Sequence, residues 1–339
     1  VRKLATIQKV KDLIPIEGAD FIELAEILGW RCVVKKGEFS ISDLGVYFEV
    51  DSFLPVEDRY EFLRKTSFRS NSFMGDGFRI KTVKFKGNIS QGLFLPISVF
   101  HEFEGLNVDD DVTDLLKVKK WEMPEVESGA GIEIGEKPYG IPTTDETRIQ
   151  SFPDFCEILS GKPYYITTKM DGTSCTMYYK DGVFGVCGRN KELKDTENCG
   201  YWKLAHAYNV PEKLTSLGRN IALQGEYCGH GIQKNRLKLL KSKYYIFDAF
   251  DLDMYKYLNF EELKELIDSL GLDMVPIEEE GERFSYDLPS LLERAKGKYS
   301  SGMDKEGIVV RSKLNNFNNI QRNRVSFKVI NNDFLLKEK

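Results

Sequence analysis

No two cysteines in the chain are spaced C-x-x-C. The six present, Cys32, Cys156, Cys175, Cys187, Cys199 and Cys228, are scattered, which argues against a zinc site built on close thiolate pairs. A chain of 339 residues buries enough apolar surface to need no disulfide framework, so reduced, mostly buried thiols are expected. No apolar run is long enough to cross a bilayer. The opening Val1-Arg2-Lys3-Leu4 leads into no signal-peptide core. A soluble, intracellular, cytoplasmic monomer with no membrane partner is the expectation. Internal repeats and low-complexity tracts are also missing. Nor does one sign of charge dominate: 48 Lys and Arg face 53 Asp and Glu, for a net charge of -5. That balance neither announces nor excludes a nucleic-acid partner, because the field in a groove depends on local arrangement.

What is present is an ordinary globular composition, 41% hydrophobic and 12% aromatic, in a length that suggests two domains. Residues 1–120 read as short strands bounded by turn residues: Trp30 to Val34, Leu44 to Val50, Phe78 to Lys86 and Gly92 to Pro96. The third alternates apolar residues with Arg79, Lys81, Lys84 and Lys86, and its phase slips at Thr82, which predicts a bulge or bend there. Several short strands of this kind suggest an OB-like β-barrel. The basic strand could hold a phosphate backbone or be a solvated face. Residues 121–142 carry Pro124, Gly129, Gly131, Gly135, Pro138, Gly140 and Pro142, punctuation that marks a linker or long loop. Residues 143–339 read as mixed α/β. Strands are predicted at 163–169, 174–180, 183–188, 221–228 and 243–250, and helices near 200–208, 260–270 and 288–296. Asn259 before Phe260-Glu261-Glu262 is a helix start, with a capping side chain and then acids in the first turn. The class expected is α+β, an OB-like barrel followed by a domain with antiparallel sheets.

The chemistry concentrates in Lys169-Met170-Asp171-Gly172, after the apolar and aromatic run Pro163-Tyr164-Tyr165-Ile166. Alone, K-x-D-G is weak. At ordinary residue frequencies a chain this long holds one by chance roughly once in ten, and Asp-Gly is a common turn pair. Four further elements follow it in order: Gly225-Glu226 in a strand-like run, the aromatic strand Tyr244 to Phe250, Glu306-Gly307 before an apolar strand, and Phe327-Lys328 inside another. Glu226 and Glu306 taken singly could equally be exposed strand faces. Phe247 could equally be core.

This ordered set resembles the covalent nucleotidyltransferase superfamily of ATP-dependent DNA ligases, RNA ligases and mRNA capping enzymes, over roughly residues 145 to 334. Within it the chain is most similar to RNA ligases of the Naegleria and Deinococcus type, which carry an N-terminal OB-fold. Pro15 to Asp20 and Thr147 to Gln150 share that likeness. The resemblance implies ATP-dependent RNA ligation at nicks through lysine–AMP and 5′-adenylylated nucleic acid, with Mg²⁺ or Mn²⁺. The substrate implied is a nicked duplex with RNA supplying the 3′-OH, and the process served is RNA repair. Lys169 would be the nucleophile. As an amine attacks only when neutral, its pKa must be depressed below about 10.4. Asp171, Glu226 and Glu306 would surround the metal through hard oxygen ligands or water, with Glu226 also meeting the ribose. Phe247 would stack the adenine. Arg189 would contact the AMP phosphate, where its guanidinium geometry suits, though a solvated surface arginine is its plain alternative. Lys328 would be the second phosphate cation, and Arg148 a weaker candidate for nucleotide phosphates or RNA.

Two departures from the family stand out. Ile330 occupies the place of a second lysine, leaving Arg324 or Arg189 to supply that charge. Thr168 stands where several RNA ligases have a glutamate that reads the adenine amino group. The few residues after Lys328 leave no room for the second OB domain of DNA ligases and capping enzymes, which turns the expectation toward an RNA ligase. The alternatives are a DNA ligase, a GTP-using capping-type nucleotidyltransferase, or a non-catalytic OB-fold RNA-binding protein.

Overall fold

The structure, a computed structural model, describes residues 2–122, 131–317 and 324–337. Among them the chain divides into two units, one of Val1–Pro124, Gln150–Pro153 and Leu336–Lys339, the other of Glu125–Ile149 and Asp154–Leu335.

In the first unit, short alternating segments pair into small antiparallel sheets. Ala5–Lys9, Leu44–Phe48 and Leu93–Pro96 form one, with Leu44–Phe48 in the middle. Trp30–Lys35 alternates buried and exposed positions against Ile22–Ile27. That pattern turns Trp30, Cys32 and Val34 into one core and leaves Arg31 and Lys35 to solvent. Ile7, Val46, Phe48, Tyr60, Phe78 and Phe100 pack a second core. The phase slip at Thr82 marks more than a bulge. Gly75–Arg79 ends one strand, in a sheet with Phe68–Asn71 and Ser52–Leu54, and Thr82–Phe85 begins another, paired with Asn88–Gln91 in a different sheet.

The second unit holds two larger sheets. Seven antiparallel strands run in the order Glu133–Glu136, Lys191–Leu193, Val183–Cys187, Thr173–Lys180, Ile221–Cys228, Lys243–Asp251, Lys256–Tyr257. Five run in the order Thr147–Arg148, Ser326–Ile330, Gly307–Ser312, Tyr164–Lys169, Ile277–Gly281, antiparallel except for the first pair. Part of the stretch read as a linker is thus a strand. Glu133–Glu136 is exposed throughout and pairs on one side, so no alternation betrays it in the sequence. Of that stretch, 123–130 lie outside the described residues. Helix Phe260–Leu270 buries Phe260, Leu263, Leu266, Ile267 and Leu270 on one stripe. Its Asn259 cap and Glu262 exchange hydrogen bonds of 3.0 and 2.8 Å, an arrangement contributing about 1 kcal/mol. All six cysteines are free thiols. Among the described residues no helix is long and apolar enough to cross a membrane.

Candidate active site

The turn after Lys169 passes from one large sheet to the other. Strand Tyr164–Lys169 belongs to the five-stranded sheet and Thr173–Lys180 to the seven-stranded one, so Met170-Asp171-Gly172 bridges them. On the first side, Lys169 lies opposite Gly307, which draws Glu306 alongside it: Lys169 Nζ is 2.7 Å from Glu306 Oε1. On the second side, Ser174 lies opposite Glu226. Both motif glycines are dictated by close approach. A Cβ on Gly172 would stand 2.7 Å from Glu226 Cγ and 2.5 Å from the Tyr227 carbonyl oxygen. Gly307 has φ of +150° and would put a Cβ 2.1 Å from the Val329 carbonyl oxygen.

Charge in the cluster is unbalanced. Burial pushes the Lys169 ammonium down, but Glu306 and Glu226 outweigh it and hold its pKa above the usual lysine value. The depression expected for a nucleophile is therefore not a property of the bare protein, because Glu306, Glu226 and Asp171 all favour the ammonium form. Glu226 is pushed up to about 7 by burial, against the pull of Lys169 and with Glu306 adding to the rise. Burial also raises Asp171, though Arg236 opposes it. Arg236 Nη1 lies 3.0 Å from Asp171 Oδ1 and its guanidinium sits 4.2 Å from the centre of the Phe334 ring.

A cleft beside the amine is lined by Thr167, Thr168, Glu226, Phe247, Val275 and Arg311, among others. Phe247 reaches it through a register shift. Gln224 pairs with Asp248 and Gly225 with Ile246, so Phe247 is the extra residue of a bulge, a device that re-aims a side chain. It is half-buried at the edge of the core rather than inside it. Lys328 lies opposite Val309 and beside Arg148. Arg189 is paired with Asp145 at 2.6 Å. Arg324 does not free its charge for a ligand: it pairs with Asp248 at 2.5 Å and with Glu146 at 3.5 Å. Ile330 is buried opposite Gly307. Thr168 donates its hydroxyl to Glu278 at 2.8 Å.

The structure thus brings Lys169, Asp171, Glu226, Glu306 and Phe247 together. The four basic residues in the first unit do not share one strand. Arg79 pairs with Asp51 at 3.1 Å and lies over the Trp121 ring, Lys86 donates to the Gly18 carbonyl, Lys81 is half-buried and Lys84 is exposed.

Several residues of the site gave no sequence signal. The Tyr299 hydroxyl donates to the Lys169 carbonyl at 2.7 Å and accepts from the Glu306 amide at 3.1 Å, tying the backbones of both members of the ion pair. Glu278 takes hydrogen bonds from Thr168 and from Lys305, the chain neighbours of that same pair. Beneath Phe247, Arg311 joins Glu146 at 3.1 Å and Asp248 at 3.6 Å. Arg236 and Tyr299 lie in loops, where periodicity says nothing. Arginine at 311 and aspartate at 248 inside apolar runs were the available hints. Tyr299→Phe is expected to leave the Glu306 amide and Lys169 carbonyl unsatisfied, at a cost of about 1–3 kcal/mol by chemical denaturation. If Lys169 carries the nucleotide, as the resemblance implies, the substitution should also slow that attachment while leaving the KM for nucleotide little changed.

Comparison with known proteins follows the same division of the chain. An OB-fold domain model matches residues 4–97 and an RNA ligase model residues 162–330. Naegleria gruberi RNA ligase with PPi is 38% identical, with a TM-score of 0.93, covering 100% of this chain and 99% of that one. The chain belongs to the RNA ligase family. Two variants of the same Naegleria gruberi ligase, one with ATP and Mn and one with AMP and Mn, each match this RNA ligase at 38% identity and TM-score 0.93 over 99% of both chains. The search of curated proteins gave no match.

Proposed function

We propose that this RNA ligase consumes ATP to join a 3′-OH to a 5′-phosphate at a nick, with Lys169 as the covalent carrier of AMP. The observation that carries the reading is an amine 2.7 Å from a carboxylate at the edge of a cleft with a re-aimed phenylalanine, in a chain 38% identical to a ligase whose structures hold ATP and Mn.

In the first step Lys169 Nζ forms a bond to the α-phosphorus, the bond to pyrophosphate breaks, and the amine gives up a proton. AMP then passes to a 5′-phosphate, restoring the lysine. The 3′-OH attacks that activated phosphate, AMP leaves, and a phosphodiester remains. Phe247 stacks the adenine in the cleft. Lys328 and Arg148 offer charge to phosphate oxygens, and Arg189, whose pair with Asp145 is at the surface, would do so on exchanging that partner. Glu226, Glu306 and Asp171 fit a divalent cation, for they crowd more negative charge around Lys169 than the lysine neutralises. Among the described residues no three such side chains converge to hold an ion on their own, so water and phosphate oxygens would complete its shell. When bound, that ion supplies positive charge at the phosphates. Without it, the acids keep Lys169 protonated, and any group that loads them releases the amine.

The test is a wild-type one. Protein incubated with α-labelled ATP or GTP and Mg²⁺ or Mn²⁺, then chased with nicked duplexes, should take label from ATP, pass it to a 5′-phosphate and seal a nick with RNA on the 3′-OH side. Label from GTP would point to a capping-type enzyme, and equal sealing of all-DNA nicks to a DNA ligase. No label from either would leave a non-catalytic RNA-binding protein.

A further inference from the structure

Between the strand that carries Glu226 and the strand that carries Phe247 the chain makes a loop, Gly229 to Ser242. It holds His230, Lys234, Arg236, Lys238 and Lys241, with Lys243 following, and no Asp or Glu. Such a run stands out in a chain of net charge -5. Elsewhere many cations are spoken for, as Lys191, Lys305 and Lys313 are by glutamates. Lys234, Lys238 and Lys241 are exposed, and among the described residues the structure records no carboxylate within ion-pair distance of them.

The loop is not loose. Asn235 exchanges two 3.0 Å hydrogen bonds with Leu239, and Leu237 and Leu239 pack with Met170 in an apolar cluster. Arg236 is bound to Asp171 through its side chain at 3.0 Å and its amide at 3.4 Å. Ser301 donates to its carbonyl at 2.5 Å. Inward residues therefore pin the loop to the turn that holds the nucleophile, while the lysines between them face solvent. Leu240, 96% exposed in their midst, adds an apolar tip suited to a sugar or base face.

We propose that Lys234, Lys238 and Lys241 form a docking surface for the phosphate backbone of the nucleic-acid strand being sealed, holding it beside Lys169. The inference rests on the proposed ligase function but concerns a different step, since attachment of AMP to Lys169 needs no nucleic acid. A pinned, unpaired lysine array suits a polyanion that must be gripped without sequence preference and then released.

The experiment compares wild type with a Lys234→Ser, Lys238→Ser, Lys241→Ser triple variant. A control lacks three other lysines (Lys203→Ser, Lys213→Ser, Lys256→Ser). AMP attachment, binding of a nicked duplex from 50 to 200 mM salt, and sealing are read for each. The triple variant should attach AMP at the wild-type rate. It should bind the duplex about tenfold or more weakly at 0.1 M salt and show a salt slope shallower by roughly 0.9 per lost contact. The control should bind as wild type does. Wild-type binding and slope in the triple variant, or equal loss in the control, overturn the docking surface. So does a raised KM for ATP with duplex binding intact, which would put the lysines on the nucleotide. Wild-type protein that takes no AMP would instead defeat the ligase reading itself.

Discussion

Lys169→Ala will carry no covalent AMP. In the proposed mechanism the side chain supplies the bonding nitrogen, so no neighbouring group can substitute at a lower rate, and label should fall below detection rather than merely decline. Sealing of a nick whose 5′ end is already adenylylated should survive, because on the proposed sequence of steps the lysine has handed over its nucleotide by then. Loss of both reactions would mean that the substitution disrupts the fold or that Lys169 acts in the last step. In wild type, the rate of attachment should rise with pH, since the acids hold the amine's pKa above the ordinary lysine value and only the neutral form attacks. Raising Mn²⁺ should move that rise to lower pH, as the metal screens Glu306 and Glu226. A profile that ignores metal concentration would argue that the carboxylates never contact the ion.

Glu226→Gln should make the unliganded protein more stable and the enzyme nearly inactive. The folded carboxyl has its pKa pushed up to about 7 by burial and its acidic neighbours, above the ordinary value near 4.5. The sign follows directly. The protonated form is favoured in the fold, so its contribution is complete below about pH 4.5 and drains away as pH rises toward 7. Above that the ionised group costs roughly 2 kcal/mol, after allowance for solvent screening of a half-buried residue. Glutamine keeps the shape without the charge. Denaturant melts at pH 8 should therefore favour the variant, and melts at pH 4 should bring the two together. Attachment of AMP should drop by about 100-fold or more if Glu226 positions ribose or metal. A variant less stable than wild type at pH 8 would show that Lys169 needs both acids merely to remain folded.

The order of five motif elements, through its resemblance to the nucleotidyltransferase superfamily, implied one neighbourhood for Lys169, Glu226, Glu306 and Phe247. The strands in or beside which Lys169, Glu226 and Glu306 sit, buried almost throughout, carry no alternation that would have shown it. The Asn259 cap was legible from the residues themselves, since a local hydrogen-bond exchange leaves a local signature. What the residues could not tell was the sign of the Lys169 shift. That depends on whether acids or cations stand closer to the amine, a fact of tertiary packing. Tyr299 and Arg236 escaped notice because loop residues that bridge distant backbones leave no periodic trace. The strand Phe78 to Lys86 misled in its length. Its alternation holds from Phe78 to Thr82, whereas Val83, Lys84 and Phe85 are all exposed, and a phase slip cannot distinguish a kinked strand from two strands in separate sheets.

Because Lys169 and Glu306 hang from the five-stranded sheet while Glu226 and Phe247 hang from the seven-stranded one, the proposed chemistry would double as a gauge of how the two layers are aligned. A slip of an ångström at that seam would part the amine from one acid but not from the other. Core substitutions far from the cleft should thus silence the enzyme well before circular dichroism registers any lost structure.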